Sequence, residues 1–236
     1  LALEMGNSRF AYYQSLFGFG KITGIDLPGE TTGIVYGDRM TTIDAACNSF
    51  GQTINVNMMQ MMAAYCSIIN GGMLYQPHIV KRIESANGEV VKEYKANLVR
   101  QTITASTSKL LRRYLKNTVE EGTAKKAGVT GYSVAGKTGT AQKGDRKDNK
   151  WIISFIGHAP AENPKFAIYV VIDEPYGTTG TSGSSADVLT LTHNILEKLL
   201  PYMNVYKDAS DEYEDTSSSP DELTVDGIPA GTASSN

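Results

Sequence analysis

The sequence has few of the residues that fix a chain through covalent or metal links. It holds two cysteines, Cys47 and Cys66, and three histidines, His78, His158 and His193. The cysteine spacing fits no zinc pattern, no Cys-x-x-Cys redox pair and no disulfide framework. One disulfide and two free thiols both stay open, and the redox compartment is not fixed. The histidines are dispersed, none beside acids at ligand spacing, so no metal site is expected. No apolar run approaches the roughly 18 residues that a membrane-spanning helix requires. No signal-peptide pattern opens the chain, and there is no internal repeat. The first residue is Leu1 rather than methionine, inside an amphipathic segment, so the chain reads as a cut piece with any export signal or anchor upstream.

What is present suits a globular domain. The chain has 236 residues, 41% of them hydrophobic, enough for a sizeable core. Its net charge of −3 is unevenly spread, because Lys207 to Asn236 carries eight acidic residues and one lysine. The remainder has 17 acidic against 21 basic residues, a net of +4. That mildly basic body suits an anionic polymer or a membrane surface, or is an ordinary solvated face. The Ser-rich acidic stretch buries too little apolar area to offset ordering. Residues 1–203 are therefore read as one folded unit and 204–236 as a disordered tail.

Periodicity places the elements. A helix over 7–17 stops at Gly18, and Gly24 to Glu30 is a structured loop. Met58, Met59, Met62, Cys66 and Ile69 recur at helical spacing, and Asn70-Gly71-Gly72 ends that helix, with the methionines filling core gaps. Asn87-Gly88 marks a hairpin between strands at Ile79–Ile83 and Glu89–Tyr94. Another helix over 108–121 carries the stripe Leu110, Leu111, Tyr114, Leu115, Thr118 and Val119. Strands follow at 133–142, 151–158 and 166–173. Their connections are too short for a crossover helix, so they run antiparallel. A Gly/Ser-rich loop, 177–185, leads to a last helix with Val188, Leu189, Ile195, Leu196, Leu199 and Leu200 on one face, stopped at Pro201. The layout is α+β, an antiparallel sheet flanked by helices.

The sharpest motif is Gly131 to Thr138, which matches the phosphate-cradling pattern G-x-x-x-x-G-K-[ST]. Tyr169-Val-Val-Ile-Asp173-Glu174 even resembles the strand that holds magnesium in nucleotide hydrolases. Context opposes that reading. A phosphate loop needs a strand before it and a helix beginning at Lys-Thr, so that helix N-terminal amides face the phosphates. Here Gly139 follows Thr138, and Gly139-Thr140-Ala141-Gln142 alternates like a strand. As a strand, Lys137 and Gly139 alternate with Thr138 and Thr140. A glycine inside a strand marks close approach to the backbone. Lysine, hydroxyls and open backbone together suit an anionic, peptide-like substrate.

Lys137-Thr138-Gly139 resembles the Lys-Thr-Gly element of β-lactamases and penicillin-binding proteins. The likeness extends to Gly18-Phe19-Gly20, Thr23 to Glu30, Ser49-Phe50-Gly51-Gln52, Gln76 to Val80, Glu121-Gly122-Thr123-Ala124, and Trp151 with Ala159-Pro160. In that order these words resemble monofunctional, class B penicillin-binding proteins over roughly residues 1–200. Thr53 and Asp187 depart from the family, which commonly has glycine and proline there.

The resemblance implies a penicilloyl-serine transferase (β-lactamase/transpeptidase-like) fold lacking its N-terminal half. It also implies a D,D-transpeptidase that cross-links peptidoglycan through an acyl-serine intermediate. The implied partners are D-Ala-D-Ala stem peptides, β-lactams and wall-synthesis machinery, with no nucleic acid and no cofactor. The implied place is the outer face of the bacterial cytoplasmic membrane, held by an anchor missing from this chain. By resemblance Lys137 and Thr140 are catalytic, Lys137 supplying charge and the Thr140 N–H half of an oxyanion hole. Thr138, Gly139, Thr140 and Gln142 bind substrate.

The nucleophile is absent. The single Ser-x-x-Lys, Ser106 to Lys109, stands just before a helical stripe, and capping by Ser106 or Ser108 explains it. The single Ser-x-Asn, Ser234 to Asn236, lies in the acidic tail. Both functional words are expected upstream, and this chain alone is expected not to acylate. A penicillin-sensing or otherwise non-catalytic domain of the same fold is the second reading; slow release of D-Ala despite acylation would separate it.

Overall fold

The computed structural model describes residues 1–144, 150–175 and 184–208. Helices α1 (Ala2–Met5), α2 (Asn7–Leu16), α3 (Thr42–Asn48) and α4 (Met58–Ile69) come first. Strands β1 (Met73–Gln76), β2 (Arg82–Glu84), β3 (Val90–Glu93) and β4 (Asn97–Gln101) follow. Helix α5 (Ala105–Glu120) then leads into β5 (Ala135–Lys143), β6 (Lys150–Ala159), β7 (Phe166–Asp173) and α6 (Ala186–Tyr202). The α+β expectation holds, with the meander β5-β6-β7 antiparallel throughout.

The core lies on one face of that meander. Ile153 and Phe155 are fully buried there, with Val188, Leu196 and Leu200 of α6 packed into the same cluster. Gly136 and Gly157 are paired in register. A Cβ on either would fall within 2.5 Å of the Phe155 ring. Both positions therefore stay bare so that the ring can lie over them. Val205 is buried in the same cluster and the Asp208 N–H donates to the Gly131 carbonyl, so packing continues past residue 203. The rest of the acidic tail, like most of the Gly177–Ser185 loop, lies outside the described residues.

Other expectations shift for identifiable reasons. The hairpin is shorter than its apolar pattern because the Asp26 carboxylate takes the N–H groups of Ile79 (2.7 Å) and Val80 (2.9 Å). Pairing begins only at Arg82. The β1–β4 pair was not anticipated; its strands are short and lie far apart in sequence. In α4 the buried positions are Gln60, Ala64, Tyr65, Ser67 and Ile69, while Met58 is exposed and Met59, Met61 and Met62 are half-buried, so the methionines border its core rather than fill it. In α5 only Ser108 and Val119 are buried, and Leu110 and Tyr114 face solvent. Helix α6 runs through Pro201 to Tyr202, with Thr192 joining its buried stripe. Both cysteines are free thiols.

The segment between α2 and α4 has no regular structure over 20–33 and is held by polar side chains. Glu30 accepts from the Thr23 N–H (2.7 Å) and hydroxyl (2.6 Å) and from the Gly24 N–H (3.0 Å). Gln60 and Asn57 form a reciprocal capping box at the start of α4. The Gln60 amide also donates to the carbonyls of Lys21 (2.6 Å) and Thr32 (3.0 Å).

Candidate active site

Strand β5 has β6 on one side and, among the described residues, no strand on the other. It is extended from Ala135 to Lys143, so Lys137-Thr138 does not open a helix and the nucleotide-hydrolase reading fails. Two contacts identify which backbone groups face the free edge. The Thr118 hydroxyl of α5 donates to the Gly136 carbonyl, and Lys137 Nζ donates to the Thr138 carbonyl at 2.7 Å. An antiparallel ladder alternates its outward groups every second residue. By that repeat the N–H and C=O of Thr140 and Gln142 face the same free edge.

The side chains divide accordingly. Lys137, Gly139 and Ala141 share one face of the sheet, and Thr138, Thr140 and Gln142 the other. Lys137 is exposed. The Thr138 hydroxyl lies 3.4 Å from that of Thr123, which brings the Glu121–Ala124 segment to the strand. Gly139 pairs with Ser154, and a Cβ there would stand 2.6 Å from the Ser154 hydroxyl. The close approach expected of this glycine thus has a packing cause within the sheet.

A cavity of about 720 Å³ opens beside the strand. Gly139, Thr140, Gln142 and Lys143 line it together with Ser154 and Tyr169. Its opposite wall includes Gln14 of α2, Asn48 of α3 and Thr53. Gln14 Nε2 donates to Asn48 Oδ1 at 3.0 Å, and Asn48 Nδ2 donates to the Thr53 hydroxyl at 2.9 Å. Gln14 Oε1 is buried without a hydrogen-bond partner among the described residues. Thr53 has φ 59, the left-handed region that glycine enters freely and a β-branched residue rarely does. Its hydroxyl bond to Asn48 holds it there. Asp187, the other departure, sits in the first turn of α6, where an acid suits the helix dipole. Sequence reasoning missed Gln14, Asn48, Ser154 and Tyr169, because none belongs to a local pattern.

The Ser-x-x-Lys residues are elsewhere. Thr104, not Ser106 or Ser108, caps α5, its hydroxyl accepting from the Thr107 N–H at 3.1 Å. Ser108 is fully buried, donating to the Ile68 carbonyl at 2.6 Å and accepting from the Gly71 N–H at 3.0 Å. Ser106 and Lys109 line a separate cavity of about 550 Å³ with Arg113 and Lys116. His78 is exposed and stacks on Tyr94, and His193 Nδ1 lies 2.7 Å from the Gly128 carbonyl. His158, fully buried, takes Tyr65 Oη on Nδ1 at 2.8 Å and faces the Ala161 carbonyl with Nε2 at 3.1 Å, tying α4 to β6. Burial pushes its pKa down to about 4. Among the described residues no cluster of His, Cys, Asp or Glu could hold a metal, and no helix is long and apolar enough to cross a membrane.

A profile described as the penicillin binding protein transpeptidase domain matches residues 1–197. Stage V sporulation protein D of Bacillus subtilis is 40% identical over 210 residues, covering 87% of this chain and 32% of that protein. The peptidoglycan D,D-transpeptidase FtsI of Escherichia coli is 34% identical over 215 residues, covering 89% of this chain and 34% of that protein. The chain thus spans about a third of the length of these curated relatives. Penicillin-binding protein 3 of Mycobacterium tuberculosis, solved with ampicillin, superposes with a TM-score of 0.78 at 31% identity over 88% of this chain and 48% of that one.

Proposed function

The chain belongs to the penicillin-binding protein transpeptidase family, and from that premise we propose that it carries the substrate-gripping half of a D,D-transpeptidase that cross-links peptidoglycan. The observation that carries the reading is the free edge of β5, where Lys137, the Thr138 hydroxyl and the Thr140 backbone stand in sequence. Lys137 presents its charge to the stem-peptide or β-lactam carboxylate side of the site. The hydroxyls of Thr138 and Thr140 bind that carboxylate, and Gly139 keeps the strand flat against Ser154. The Thr140 N–H donates to the carbonyl oxygen as charge develops on it, an interaction whose loss costs roughly 3 kcal/mol of barrier. Gln142 lines the acceptor side.

The serine that attacks the penultimate D-Ala carbonyl comes from outside these 236 residues. Attack forms the acyl-serine ester and releases D-Ala; an acceptor amine then displaces the serine and forms the new amide. The large cavity beside Gly139 and the unpartnered Gln14 Oε1 support a further segment seating there, since a buried acceptor left unmade costs about 1–3 kcal/mol. Mycobacterium tuberculosis penicillin-binding protein 3 has been solved with ampicillin and with aztreonam, and β-lactams are the expected probes here. The place of work is the outer face of the cytoplasmic membrane, beside the wall and its synthesis machinery.

Fluorescent penicillin tests this directly. The 236-residue chain should take up none, and the full-length protein should be labelled one to one on its Ser-x-x-Lys serine. A stoichiometric adduct on Ser106 would overturn the reading.

A further inference from the structure

The recognition strand is an edge strand, laddered to β6 from Ala135 to Lys143 on one side only, so side-chain ties at its ends supplement that single ladder in fixing its position. The first end is held by Thr118 of α5 on the Gly136 carbonyl and by Thr123, in the turn after that helix, beside Thr138. The second end carries Lys143. Its Nζ lies 2.9 Å from Asp173 Oδ2 and 2.9 Å from Glu174 Oε1. Asp173 closes β7 and is paired in register with Ile152 of β6, so the lysine reaches across the middle strand to the third.

Glu174 joins this arrangement in an unusual conformation. Its φ is 49, its N–H donates to the Trp151 carbonyl at 2.8 Å, and its other carboxylate oxygen lies 3.3 Å from Lys150. The end of β7 is thereby folded onto β6 and held by two lysines. Single exposed ion pairs contribute little, but a network joining several elements is the exception. Each partner strengthens the other's charge: the carboxylates raise the Lys143 pKa, and the lysines lower that of Glu174.

We infer that Lys143, through Asp173 and Glu174, is a positioning residue for the Thr140–Gln142 half of β5, an inference that rests on the transpeptidase reading. It touches no reacting atom in that scheme. It sets where the Thr140 N–H stands relative to the substrate carbonyl, and displacements of about 1 Å in such a donor are enough to change rates up to a hundredfold.

The experiment measures the second-order rate of fluorescent-penicillin acylation in the full-length protein. Labelling of the wild type checks the transpeptidase reading; if it fails, both fall. With the wild type labelled, Lys143→Met should acylate about tenfold more slowly at an unchanged melting temperature. Lys143→Arg should restore the rate, and the exchanged pair Lys143→Asp with Asp173→Lys should restore part of it. A Lys143→Met rate equal to wild type, or no rescue by arginine, overturns the inference while leaving the reading intact. Ionic strength gives a measurement free of folding defects. Wild-type acylation should slow at 0.5 M salt as the network is screened, with neutral β-lactams as well as anionic ones. Slowing confined to anionic β-lactams would overturn the inference.

Discussion

The sheet β5–β7 with α6 coheres by burying Ile153, Phe155, Leu196 and Leu200 against one another, whereas the segment from Gly20 to Asn57, apart from a small cluster of Met40 and Ala45 against Ala11, coheres through carboxylates and amides that grip loop backbone. In the first region the stabilising groups are interchangeable in kind, and volume is what matters. In the second each side chain is specific, because Glu30, Asp26 and Gln60 each satisfy two or more backbone groups with fixed geometry. The candidate active site lies between them, with β5 contributed by the apolar region and Asn48 and Thr53 by the polar one. Its geometry therefore depends on two different kinds of cohesion at once.

Four measurements test this contrast. Phe155→Ala should be the most costly, by about 4 kcal/mol in chemical denaturation, since the ring is fully buried over two bare glycines. A cost below about 1 kcal/mol would show that the core lies elsewhere. Next comes acid. His158 has a folded pKa of about 4 against an ordinary 6.5, so the unfolded state binds the proton better between those values. Stability from this group is complete above pH 6.5 and is lost as pH falls toward 4, by about 3 kcal/mol. Replacing His158 with glutamine should flatten that part of the stability profile, read by urea melts from pH 7 to pH 4.

In the polar region Gln60→Ala should cost about 2 kcal/mol, removing half of the capping box and leaving the Lys21 and Thr32 carbonyls without their donor. Amide exchange should accelerate across 20–33 and stay unchanged in β6. Equal acceleration in both would mean that the two regions unfold as one. Smallest is Thr53→Gly, which should gain about 1 kcal/mol by releasing the left-handed backbone, less what the Asn48 bond contributed. A loss on thermal melting would show that the hydroxyl bond outweighs the backbone strain.

Much of the apolar region was legible in the sequence. The continuous apolar run from Phe166 to Ile172 and the stripe of α6 announce themselves locally, because a short apolar run between turns suits a covered strand and a helix repeats every 3.6 residues. The strand conformation of Lys137-Thr138-Gly139 was legible too, since a glycine in a first helical turn is costly and no helical period follows. The stripe on α5 misled: its period is helical, but Leu110 and Tyr114 find no described neighbour that buries them. Hydroxyls near Thr104 were equally plausible caps by composition, and only the backbone path chose Thr104. That Gly24 to Glu30 is a loop was legible in its glycines and proline, but what holds it was not, because Asp26 bonds residues more than fifty positions away.

The sequence alone determined the antiparallel order of β5, β6 and β7, the helix that follows them and the extended state of Lys137 to Gln142, since each follows from spacing along the chain. Tertiary structure decided that Gly139 must clear Ser154, that Gln14, Asn48 and Thr53 wall the cavity, and that Lys143 reaches Asp173 across β6. Those contacts join residues remote in sequence, and their distances exist only once register and packing are fixed.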